Sequence, residues 1–101
     1  MPVLRIDLQE GFEGDTVIIR VDGLEKFRRS GVRTRNQIGL AHSFELELKE
    51  GARALELLVP NRNMAAQRTI SLKDQNTYLG ITLTREGQIE ATVSQEPFGY
   101  L

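Results

Sequence analysis

Apolar and polar residues alternate along most of this chain, the pattern of extended strands with one dry face and one wet face. Leu4, Ile6 and Leu8 alternate with Arg5, Asp7 and Gln9, which predicts a first strand close to the N-terminus. Gly11 and Gly14 bracket an acidic turn. Thr16 to Val21 follows, with Val17, Ile19 and Val21 on one side and Ile18 on the other. Its β-branched side chains suit a pleated surface, and apolar residues on both faces predict a central strand. Asp22-Gly23 is the sharpest hairpin signal, because a two-residue turn needs positive φ and these two residues tolerate it. Leu24 to Arg29 should therefore pair back on the preceding strand. Ser30 to Asn36 reads as a loop, and Gln37 to Ala41 as a further strand interrupted by Gly39.

Phe44, Leu46 and Leu48 alternate with charged residues, Glu50-Gly51 marks a turn, and Leu55, Leu57 and Val59 alternate with Glu56 and Leu58. The pair predicts a second hairpin. A helix over Ala52 to Leu58 is the rival on propensity alone, but Gly51 and Pro60 leave it too short to stand. After Pro60-Asn61-Arg62-Asn63, Gln67 to Leu72 turns Ile70 and Leu72 inward, and Lys73 to Asn76 makes a polar turn. Leu79, Ile81 and Leu83 then alternate with Gly80, Thr82 and Thr84. Arg85-Glu86-Gly87 closes a hairpin onto Ile89, Ala91 and Val93.

Eight or nine short strands, spaced by turn signals and without a convincing amphipathic helix, predict an all-β fold. The expected architecture is a two-sheet antiparallel β-sandwich occupying residues 1–101 as one domain, with 96–101 an apolar tail; a small β-barrel is the alternative. In general pattern it resembles the immunoglobulin-like and transthyretin-like sandwiches. The Cys–Trp–Cys signature of antibody domains is missing, since the chain has neither residue.

Composition narrows the chemistry. With 40% hydrophobic and 27% charged residues, the 101-residue chain has the balance of a folded protein. Thirteen basic residues against fourteen acidic ones leave a net charge of −1, so neither nucleic acid nor a membrane surface is an expected partner. The lack of Cys removes disulfides, zinc-thiolate sites and thiol nucleophiles. No apolar run approaches the roughly 20 residues of a membrane span. A cytoplasmic location is the default expectation, a secreted or periplasmic one requiring a trimmed leader.

The candidate sites are few. Arg28, Arg29, Arg33 and Arg35 surround Ser30-Gly31 and form a basic cluster suited to a phosphate, a nucleotide or an acidic sugar. Counting strands places this loop beside Glu10, Glu13 and Asp15, which would neutralise it. The same count brings Asp74 and Asn76 to that end as oxygen donors for a calcium ion, although residues of these types are favoured in turns anyway. It sends Asn61-Arg62-Asn63 to the opposite end. His42 beside Ser43 is the only hint of a hydrolase, but no nucleophile-elbow sequence accompanies it, and neither a catalytic residue, a cofactor nor a metal is expected. Phe98, Tyr100 and Leu101 concentrate apolar surface in the tail, to dock on the domain's own sandwich or on a partner. The expected function is a non-catalytic interaction or structural module, its partner another protein or a second copy reached through edge strands or the tail. Binding of an anion at the arginines is the alternative.

Overall fold

The computed structural model describes residues 1–100. Eight strands build two four-stranded sheets: β1 (Val3–Leu8), β2 (Glu13–Val21), β3 (Leu24–Arg33), β4 (His42–Glu47), β5 (Gly51–Val59), β6 (Met64–Leu72), β7 (Thr77–Leu83) and β8 (Ile89–Ser94). One sheet runs β4-β1-β7-β8 and the other β3-β2-β5-β6. The sheets stay open at their edges rather than closing into a barrel, so the architecture is a β-sandwich. Neighbours are antiparallel with one exception. Strands β1 and β7 run parallel, with Leu4 opposite Thr77 and Leu8 opposite Ile81, and the whole intervening chain serves as their crossover.

The alternation read from the sequence packs the core. Leu4, Ile6 and Leu8 meet Val17, Ile19 and Val21, Leu55, Leu57 and Val59, and Leu79, Ile81 and Leu83, all of them buried. Each such side chain contributes about 1.5–3 kcal/mol relative to leaving it in water. Strand β2 is central, as its two apolar faces require: Ile18, on the outer face opposite Arg28 and Leu58, is also buried. Asp22 and Gly23 take φ of 50° and 83°, the turn that sets the β2–β3 register. The segment Ala52 to Leu58 is strand rather than helix.

Three sequence-based expectations are corrected. Strand β3 continues through Ser30-Gly31 to Arg33, because Gly31 at φ 70° absorbs an irregularity in the ladder and returns Val32 to the core. Gln37 to Ala41 is not a strand. It folds on itself, the Arg35 carbonyl accepting from the N–H groups of Ile38 and Gly39, with only a single bridge between Arg35 and Leu40. Finally, Phe44–Leu48 and Leu55–Val59 do not form a hairpin. Strand β4 pairs with β1, while β5 crosses to the other sheet between β2 and β6.

Losing the 37–41 strand moves every later loop to the opposite end. One end of the sandwich therefore gathers residues 9–12, 34–41, 60–63 and 84–88, and the other gathers 22–23, 48–50 and 73–76. Among the described residues, no helix is long and apolar enough to cross a membrane.

Candidate functional site

The four arginines do not converge. Arg28 and Arg29 are neighbours on β3 and project from opposite faces. Arg28 forks onto the Glu25 carboxylate, with Nη2 to Oε1 at 2.7 Å, and this hydrogen bond holds Glu25 below the usual carboxylate range. Arg33 stands opposite Glu13 in the ladder, and Arg35 lies in the folded loop. Among the described residues no carboxylate comes within 4 Å of Arg29, Arg33 or Arg35.

The acid expected to neutralise them is claimed by another arginine. Asp15 is 1% exposed, and Arg62 grips both its oxygens at 2.8 Å from the one-turn 3-10 helix Pro60–Arg62. Asn61 Nδ2 and the Glu13 N–H add two further donors, and Arg62 also reaches the Gly11 carbonyl. Burial is the largest single influence on Asp15 and opposes its charge, but the bonds from Arg62, Glu13 and Asn61 together outweigh it and lower its pKa. The Asn61-Arg62-Asn63 loop, expected at the far end, is thus the brace of the acidic turn. Asp74 lies at the opposite end, where its hydrogen bond with Glu50 raises the pKa of Glu50. No group of three or more His, Asp or Glu among the described residues is gathered as a metal would need. A cleft of about 660 Å³ between Gly11, Arg62 and Arg85 has its Arg62 guanidinium already committed to Asp15.

A second polar cluster lies on the outer face of the β4-β1-β7-β8 sheet. Asp7 is 3% exposed because the tail lies over it: Tyr100 donates its hydroxyl to Asp7 Oδ2 at 2.7 Å and accepts from Gln9 Nε2 at 3.0 Å. Ser43 donates to the other carboxylate oxygen, and Arg5 Nε lies 3.4 Å from it. Tyr100 therefore packs on the domain's own sheet face, Phe98 is half-buried, and Leu101 lies outside the described residues. Burial, partly offset by Gln9 and reinforced by Asp7, pushes the Tyr100 phenol up to about 12. A neutral phenol is thus favoured by folding, and the stability it carries is present below the ordinary tyrosine value of 10.0 and is lost as pH rises toward 12. Ultraviolet titration should show a tyrosine ionising near pH 12 that Tyr100→Phe abolishes. The same change should cost roughly 1–3 kcal/mol by leaving Asp7 and Gln9 short of a partner.

His42 and Ser43 project from opposite faces of β4. His42 stacks with Phe27 and Phe44, its ring 5.9 Å from each, and forms no hydrogen bond with a serine or an acid among the described residues. Burial, then the nearby charge of Arg29, lowers its pKa. With Phe27 and Phe44 stacked at 3.8 Å, this group plugs the side of the sandwich where β3 meets β4.

The other side of the sandwich lies between β6 and β8 and has no such ring stack. Edge strands leave a row of N–H and C=O groups unpaired, and most proteins guard them with charges or bulges. Strand β3 carries Glu25, Lys26, Arg28, Arg29 and Arg33 with three register shifts, and β4 carries Glu45 and Glu47. Strand β6 has neither protection in quantity. It pairs with β5 over nine residues without a shift, and its only charge is Arg68. Beside it, β8 carries only Glu90 and exposes Val93. Between the two lies a cleft of about 370 Å³ bordered by Met64, Ala65, Ala66, Arg68, Gln88 and Ile89.

No family model, curated protein or solved structure matches this chain. Function must therefore be read from the geometry. The role of the β6–β8 side was not identifiable in the sequence, where Gln67 to Leu72 reads as one strand among several. Its low charge is visible there, but only the sheet order makes it an edge.

Proposed function

We propose that the chain is a protein-interaction module that accepts an extended segment of a partner along the free edge of β6. The observation that carries this reading is the contrast between the two sides of one sandwich. The β3–β4 side is charged, irregular and plugged by stacked rings, whereas the β6–β8 side presents a nine-residue edge of unbroken register over a cleft bordered by Met64, Ala66 and Ile89. An added strand satisfies the unpaired backbone groups by main-chain hydrogen bonds, and every second side chain of it is directed to the cleft.

Panning a random peptide library against the full chain tests this. Selected peptides should bind at least about tenfold more weakly to Ala66→Arg, which fills the cleft, and equally to Glu45→Arg on the β4 edge. Failure to select any peptide, or binding indifferent to Ala66→Arg, would refute the reading. Ala66 is only half-buried at an edge, so the variant should fold, with an unchanged circular dichroism spectrum as the check.

A further inference from the structure

The open edge has one charge, and its position defines what can pair there. Along β6 the residues facing the core are Met64, Ala66, Arg68, Ile70 and Leu72, so Arg68 interrupts an otherwise apolar row. Its guanidinium reaches the strand's own Gln67 carbonyl at 2.8 Å and lies 3.5 Å from the Ile89 carbonyl of β8, spanning the gap between the two sheets. Among the described residues it has no acidic partner within 4 Å.

An inward-facing charge on an edge strand acts first as a guard. A strand laid along β6 removes water from the guanidinium, and without a counter-charge that desolvation is costly. A second copy of the chain is disfavoured on the same ground in the centred register. Arg68 is the middle residue of Met64–Leu72, so two copies paired antiparallel about the strand centre would set Arg68 against Arg68. A strand carrying a carboxylate at that position meets the opposite condition, because its oxygens replace the lost water with charge-assisted hydrogen bonds. Rejection of neutral and basic strands and acceptance of acidic ones then come from one residue.

Resting on the strand-addition reading above, we propose that the partner is an extended acidic peptide: apolar side chains alternate toward the Met64–Ala66–Ile89 cleft, and an Asp or Glu lies against Arg68. Three synthetic peptides of about ten residues, alternating Thr and Val with Glu, Gln or Lys at the centre, test it by fluorescence anisotropy. The Glu peptide should bind at least about tenfold more tightly than the Lys peptide at low salt, with the gap narrowing as salt rises. The order should invert in Arg68→Glu and flatten in Arg68→Gln. Equal affinities for all three peptides, with binding still lost in Ala66→Arg, would overturn the acidic preference and leave the edge reading standing. Absence of binding by any of them would overturn both.

Discussion

Replacing Gly11 by alanine should cost about 3 kcal/mol or more, among the largest losses any single methyl can cause in this protein. Two independent effects combine. Gly11 sits at φ 90°, where an L side chain is strained, and a Cβ there would land on the carbonyl oxygen of Leu83. Backbone is the obstacle rather than the tip of a flexible side chain, and Leu83 is itself tied down by its N–H bond to the Glu10 carbonyl at 2.9 Å. Relief requires parting the β1–β2 turn from the end of β7, next to the point where Arg62 holds the Gly11 carbonyl. Gly87→Ala is the control: φ is 82°, but nothing lies within 4 Å of the added methyl, so only about 1 kcal/mol of backbone strain is expected. Denaturant unfolding of the two variants should separate them clearly, and equal losses would show that the Leu83 carbonyl is no obstacle to the added methyl.

Arg62→Ala should destabilise the fold by about 2–3 kcal/mol. Removing one partner of a buried pair usually costs about 3–5 kcal/mol, but part of the Arg62 side chain is in water and screening reduces the loss. The remaining penalty falls on Asp15, which keeps its charge in a buried position with only Asn61 and the Glu13 N–H to support it. Acid should reveal the same interaction. The folded pKa of Asp15 lies below the ordinary aspartate value of 3.8, so near that pH the unfolded chain binds more protons than the folded one and stability rises with pH. The contribution is complete above 3.8 and disappears as pH falls through the depressed folded value. In Arg62→Ala the acid slope should shrink, because the cation that holds the carboxyl down is gone. An unaltered slope would show that Arg62 is not what depresses Asp15.

What was legible in the sequence was whatever a few neighbouring residues determine. Asp22-Gly23 announced its turn because both residues accept positive φ, and the runs Leu4–Leu8 and Leu79–Leu83 declared their buried faces by period alone. The segment Gln37 to Ala41 misled because Ile38 and Leu40 alternate as in a strand, whereas the Arg35 carbonyl pulls the chain into a turn that no alternation reveals. That one error reversed the loop ends and concealed the meeting of Asp15 with Arg62, a pair 47 residues apart. The connection after β4 misled differently. A Glu-Gly turn serves equally for a hairpin and for a crossing between sheets, and pairing with β1 decides between them.

Site residues were less legible than strands for a related reason. Tyr100 reads as a side chain that must dock, but its partners Asp7 and Gln9 lie at the other end of the chain and only the folded tail unites them. The arginines of β3 looked like a cluster because they are close in sequence, whereas strand alternation separates Arg28 from Arg29 and Glu25 takes the former. Nothing in the sequence sets Arg68 apart from the other nine arginines. It matters because β6 is an edge, a property of sheet order that depends on all eight strands.

Nuclear Overhauser contacts between a bound extended peptide and the isotopically labelled chain are the most direct probe of the β6 edge. Cross-strand contacts from the peptide backbone to residues 65–71, with slowed amide exchange confined to β6, are the predicted result. Contacts to β3, to β4 or to the Tyr100-covered sheet face, with β6 amides unchanged, would contradict it.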